Sequence, residues 1–118
     1  MTAPNLLNIT SVTGKTLAYN VTTIASTMVL NDVDSNNCIR INSLFVANIG
    51  VQIATFSVSF VRAGVVIKIA QSVSCDPGSS IVVIGKDTGV YLEEGDSLTI
   101  QGSVNGALNA VISYDVIA

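Results

Sequence analysis

Apolar and polar residues alternate with a period of two along most of this 118-residue chain. Successive side chains of a strand point to opposite faces, so the alternation marks strands buried on one side. The pattern predicts one face of Leu17, Tyr19 and Val21, then Ile39 with Ile41, then Leu44 with Val46. Between Ile41 and Leu44 the parity slips by one residue, which predicts a β-bulge around Asn42-Ser43. Phe56, Val58 and Phe60 alternate with Thr55, Ser57 and Ser59. The turn signal Ala63-Gly64 and the alternating Val65, Ile67 and Ile69 follow, so the two runs read as a β-hairpin. Cys75-Asp76-Pro77-Gly78-Ser79-Ser80 is a strong turn, with Pro presetting the bend and Gly free to take positive φ. The apolar run Ile81-Val82-Val83-Ile84 predicts a strand covered on both faces. Gly85-Lys86-Asp87-Thr88-Gly89 reads as a hairpin connection and Glu93-Glu94-Gly95-Asp96 as a further turn. Leu98, Ile100 and Val104 predict a late strand, Asn105-Gly106 a hairpin turn, and Leu108, Ala110, Ile112, Tyr114 and Val116 the last strand.

Val and Ile together make 30 of the 118 residues, and β-branched side chains favour the pleated, half-buried surface of a sheet. Short strands separated by turns about every 8 to 12 residues predict an all-β, single-domain β-sandwich or jelly roll of about 7 to 8 antiparallel strands. The domain is expected to span residues 1 to 118, with residues 1 to 5 a flexible N-terminal extension, because apolar periodicity has not yet begun there. The expected core is Phe56, Val58, Phe60, Ile67, Ile100, Ile112 and Tyr114. Val61, Val66, Val111 and Ile117 have the opposite parity to their core-facing neighbours and are expected to face partner subunits.

Charge changes the picture more than length does. Charged residues are 11% of the chain, against about 25% in an average soluble domain. Polarity comes instead from 13 Ser, 10 Thr and 10 Asn. The net charge is −3, and the basic residues Lys15, Arg40, Arg62, Lys68 and Lys86 are scattered. A surface that tracks phosphates needs clustered Lys and Arg, so neither nucleic acid nor an anionic membrane is an expected partner. Mean hydropathy is +0.62, yet no stretch approaches the roughly 20 apolar residues of a membrane helix. A small domain buries only about 60 to 70% of its chain surface, so the excess apolar content points to burial against other subunits. The N-terminal residues Met1 to Leu7 show neither the basic nor the apolar region of a secretory signal. The sequons Asn8-Ile9-Thr10 and Asn20-Val21-Thr22 are read as chance in an Asn- and Thr-rich chain.

Candidate chemistry is sparse. The chain has no His and no Trp, so the commonest general base and metal ligand is missing and a Ser-His-Asp arrangement cannot be assembled. Cys38 and Cys75 have no CxxC spacing and are expected to be two reduced, partly buried thiols. Asp32-Val33-Asp34-Ser35-Asn36 opens like a calcium loop. The sixth position is Asn37 rather than Gly and the twelfth Ser43 rather than Glu, so a solvated loop between strands is the expectation. Glu93, Glu94 and Asp96 could supply a carboxylate pair for glycoside hydrolysis, but adjacent strand residues face opposite ways unless a turn redirects them. Gly85 to Gly89 lacks the order of a phosphate loop. Tyr19, Tyr91 and Tyr114 lie within apolar strands and are expected to pack. No catalytic, cofactor-binding or metal residue is assigned, and no cofactor is expected.

A set of whole motifs spans residues 15 to 117. They are Lys15-Thr16 with Val21-Thr22-Thr23; Ile41-Asn42-Ser43-Leu44 with Val46-Ala47-Asn48; Val58-Ser59-Phe60; Val82 to Thr88; Val90-Tyr91-Leu92-Glu93-Glu94-Gly95-Asp96-Ser97-Leu98; and Ile112-Ser113-Tyr114-Asp115-Val116-Ile117. In these the chain resembles small virion structural proteins of tailed bacteriophages, especially those of marine and cyanobacterial hosts, with Tyr91 to Leu98 the most specific segment. The resemblance implies a non-enzymatic component of the phage particle, assembled in the host cytoplasm. The first expectation is a capsid decoration, or cement, protein that forms a homo-trimer and binds the major capsid protein. The alternative is a neck, tail or fibre-associated protein. A third reading, a carbohydrate-binding module, would need an exposed aromatic platform. Asp32 to Asn37, Cys75 to Ser80 and Glu93 to Asp96 are the loops expected to reach the neighbour, because connections at the ends of a sandwich project beyond its sheets.

Overall fold

The computed structural model describes residues 11–85, 87 and 89–118. The expected N-terminal extension, the first sequon, and Lys86 and Thr88 lie outside the described residues. Nine strands run in chain order: β1 (Val12–Asn20), β2 (Ser26–Leu30), β3 (Cys38–Asn48), β4 (Ala54–Arg62), β5 (Val65–Cys75), β6 (Ser80–Ile84), β7 (Val90–Leu92), β8 (Ser97–Gly102) and β9 (Leu108–Ile117). They form two antiparallel sheets. One has the order β1-β9-β3-β6, with β7 also pairing with β3; the other has the order β2-β8-β4-β5. β6 pairs with residues 44–47 of β3 and β7 with residues 39–41, so the two lie end to end as one interrupted edge strand. Counted so, the chain crosses between two four-stranded layers at every connection but the β4–β5 hairpin, as in a jelly roll.

Residues that alternate in sequence meet between the layers. Val21, Ile41, Leu44, Val46, Phe56, Val58, Leu98, Ile100, Leu108 and Ile112 are all buried there, with Phe60 and Tyr114 half-buried against them. The bulge predicted at Asn42-Ser43 is present as a register shift between Ile41 and Ser43 opposite β9. The hairpin β4–β5 also forms as expected. Its two-residue turn has positive φ at both Ala63 and Gly64, the mirror-image geometry whose twist matches that of paired strands.

Several expectations need correction, most because sequence periodicity does not reveal what lies opposite a strand. Ile67 has the inward parity, since it pairs with Phe60, yet it is 54% exposed. β5 is the terminal strand of its sheet. Its Cys75 end packs onto β3, with Cys75 Sγ 4.0 Å from the Val46 carbonyl oxygen, while Val65 to Ile69 stay exposed. The run Ile81 to Ile84 is an edge strand rather than one covered on both faces, and Val82 is 67% exposed. The expected hairpin after β6 does not form, because β6 and β7 pair with β3 and not with each other. Asn105-Gly106 likewise makes no hairpin: β8 and β9 belong to different sheets, and the loop carries the chain across the sandwich. Val104 falls in that loop, beyond the end of β8. Ile117 is buried, paired with Cys38 and Val12, and so offers no partner surface. Tyr91 is exposed rather than packed. β2, which no period-two pattern signalled, supplies Met28 and Val29 to the core across a bulge between Thr27 and Val29.

Candidate functional site

The up-and-down course of the strands gathers the loops at two ends. One end carries residues 31–37, the Ala63-Gly64 turn and residues 93–96; the other carries residues 21–25, 49–53, 76–79 and 103–107. Two of the loops expected to reach a neighbour, Asp32 to Asn37 and Glu93 to Asp96, therefore meet, while Cys75 to Ser80 lies at the opposite end.

At the first end, five of the chain's eight acids, Asp32, Asp34, Glu93, Glu94 and Asp96, stand in two loops. Residues 93 to 96 form a turn in which the Asp96 N–H donates to the Glu93 carbonyl at 3.0 Å, with Gly95 at a φ of 88°. The turn folds the buried Asp96 carboxylate back to accept the Glu93 N–H at 2.8 Å. Arg62 donates to the same carboxylate through Nε at 2.9 Å and Nη2 at 2.7 Å, and Nη2 also reaches Glu93 at 2.8 Å. Its guanidinium lies 5.1 Å from the centre of the Phe60 ring. The hydrogen bonds to Asp96 raise the Arg62 pKa above its ordinary value, so the group stays charged. Both oxygens of Asp96 are thereby engaged, and the arrangement is a clamp that seals the core end. Arg62 sits at the next inward position after Phe56, Val58 and Phe60; that arginine on an apolar face was the sequence signal for a buried acid opposite it. Glu94 turns elsewhere, accepting the Asn36 N–H at 3.3 Å. Above the clamp a depression of about 350 Å³ is lined by Val33, Arg62 and residues 93 to 96. Among the described residues no group of three His, Cys, Asp or Glu side chains is placed to hold a metal ion.

Asn31 staples this end. It is buried, its Nδ2 donates to the Asn37 and Leu92 carbonyls at 2.9 Å each, and its Oδ1 accepts from the Ser35 hydroxyl at 2.6 Å. Its own backbone bonds Asp96 and Gly95.

Asn48 does the same at the other end. Buried as well, it donates through Nδ2 to the Gln52 carbonyl at 2.8 Å and the Cys75 carbonyl at 2.9 Å, and its Oδ1 accepts the Gly50 N–H at 2.8 Å. The loops of this end expose Ile24, Ile49, Val51, Ile53 and Val104, with Val51 92% exposed. Asp76 is the one charged residue among these loops.

The two thiols are free and buried at opposite ends. Cys38 opens β3 and Cys75 abuts Val46, eight residues further along it, which at about 3.3 Å per residue separates them by roughly 26 Å. A disulfide needs Cα atoms within about 7 Å, so the pair cannot bond within the chain. Burial, and then the Glu93 carboxylate, push the Cys38 thiol pKa up.

No protein-family model matches the chain, and no curated protein matches it in sequence. Among solved structures it is similar to a chain of Bacillus endospore appendages, described as a novel family of disulfide-linked pili. The identity is 11% over 93% of this chain and 88% of that one, with a TM-score of 0.53. At this identity the likeness is one of fold alone, and the fold is the two-sheet sandwich described above.

Proposed function

We propose that this chain is a non-enzymatic structural subunit of a bacteriophage particle, a capsid decoration protein seated on the shell through its apolar, sparsely charged end. The observation that carries the reading is the uneven charge of the molecule: exposed Ile and Val side chains crowd one end beside the single carboxylate of Asp76, whereas five carboxylates stand at the other, beside the exposed Leu30 and Val33. An exposed apolar patch rimmed by polar residues marks a surface that another protein covers. Seated this way, the acidic end faces solvent and keeps a crowded shell soluble. The motif resemblance supplies the particle, which the fold by itself does not, since one fold serves many functions. The neighbour's pili are described as disulfide-linked, a linkage that does not transfer, because both thiols here are buried.

Binding of this kind stabilises a shell by mass action, by about 2.7 kcal/mol per site at a hundredfold excess over Kd, so modest affinity repeated over many sites suffices. Quantitative mass spectrometry of purified particles tests the placement. A decoration protein is expected in hundreds of copies, whereas about three to a few dozen would move the chain to the neck, tail or fibres. Attachment by apolar burial is expected to survive sodium chloride between about 0.1 and 1 M, over which the Debye length falls from about 10 to 3 Å. Release by salt or by a chelator of divalent metals would replace apolar seating with an attachment through the acidic end.

A further inference from the structure

The outer edge of β5 is the second apolar surface of the molecule, and its geometry selects a partner. Among the described residues four strand edges are unpaired: β1, β2, β5 and the interrupted β6–β7. β1 is mostly polar at its exposed positions, β2 buries Met28 and Val29, and β6 and β7 are short. β5 alone exposes large apolar side chains on both faces over a continuous stretch: Val65 at 58%, Val66 at 54% and Ile67 at 54%, followed by Ile69. A strand that pairs with it must bring apolar side chains to both faces as well, and β5 is the edge in this chain that does so. Unpaired apolar edges of this kind template pairing with another chain unless something prevents it.

We propose that β5 pairs antiparallel with β5 of a second copy about a two-fold axis through Ile67. The backbone and Lys68 together set this register. The tight turn makes Arg62 and Val65 a hydrogen-bonded pair, and alternation along the strand then points the N–H and C=O groups of Val66 and Lys68 outward. An axis through Lys68 would set two ammonium groups face to face, where like charges directly opposite are destabilising, and one through Val66 would lay Lys68 against the Gly64 turn and leave its outward backbone groups unpaired. An axis through Ile67 sets each Lys68 opposite Val66 of the second copy, closing both as hydrogen-bonded pairs. It also stacks Ile67 on its own mate, and the bulge at Ile69, which has no partner on β4, ends the regular ladder just beyond Lys68. The contact is self-complementary, so it closes as a dimer and does not propagate into a fibre. It does not depend on the chain belonging to a phage particle.

Cysteine cross-linking in the full chain reads the register directly. Ile67→Cys lies at a non-hydrogen-bonded pair on the axis, where Cα atoms stand about 4.5 Å apart, within the disulfide range. Mild oxidation is expected to convert most of this variant to dimer on a non-reducing gel. Val65→Cys, whose two copies stand four residues apart along the paired strands, about 13 Å, is expected to stay monomeric. The native thiols are buried and stay silent. Ile67→Lys, at a half-exposed position that leaves the fold intact, is expected to raise the dimer dissociation constant at least tenfold by light scattering, with an unchanged circular dichroism spectrum. The pairing is overturned if Val82→Cys, more exposed and on the other sheet, cross-links as well as Ile67→Cys. A trimer that forms without the Ile67→Cys bridge would also overturn it, and would leave the shell reading standing.

Discussion

Asn31 and Asn48 hold opposite ends of the sandwich by the same chemistry, each buried and each spending its amide on loop carbonyls. The loops at the two ends nonetheless differ in charge: one set carries Asp32, Asp34, Glu93, Glu94 and the Arg62–Asp96 clamp beside an exposed Val33, the other Ile24, Ile49, Val51 and Ile53 with the single carboxylate of Asp76. The frame that shapes a loop is therefore separate from what the loop presents. A buried polar side chain with all its partners fixes the backbone, and the outward residues are then free to differ.

The largest expected effect tests the shared frame. Asn48→Ala and Asn31→Ala each strand buried carbonyls and a donor or hydroxyl, so each is expected to cost about 3 kcal/mol in urea unfolding. A cost below about 1 kcal/mol at either end would break the equivalence. Next comes the clamp, which only one end possesses. Asp96→Ala leaves the Glu93 N–H without its acceptor and is expected to cost about 1 to 3 kcal/mol. It should fall below the asparagine variants because the half-exposed Arg62 rehydrates once released.

Val51→Asp sharpens the comparison from the other side. Its side chain touches solvent, so unfolding stability is expected to change by no more than about 0.5 kcal/mol while retention on purified particles is lost. Full retention would remove the apolar end as the seat. The smallest effect concerns the thiols. Above pH about 8.5 the unfolded chain sheds a thiol proton that native Cys38 keeps, so stability is expected to decline gently as pH rises through and beyond that value. Native Cys38 should accordingly alkylate far more slowly at pH 8 than in denaturant.

Much of the architecture was legible because its cause is local. The period-two runs at Phe56 to Phe60 and Leu108 to Ile112 located their buried faces, the parity slip located the bulge beside Ile41, and Ala63-Gly64 located the tight turn. β2 was not legible, because five residues broken by a bulge are too few to show a period. The Arg62–Asp96 clamp was missed because its partners are 34 residues apart and meet only when β4 and the turn after β7 reach the same end.

What the sequence determined by itself is which side chains could share a face, since that follows from the alternation of Cβ directions within one strand. Only the tertiary structure decided which of those faces are covered. Ile100 and Ile67 have the same inward parity; one is sealed between the layers and the other stands open, because β8 lies inside its sheet and β5 ends it. In the same way, Glu93 and Asp32 are distant in sequence and gather at one acidic end because antiparallel strands return every second loop to the same place. Burial depends on what lies across the sandwich, and parity carries no information about that.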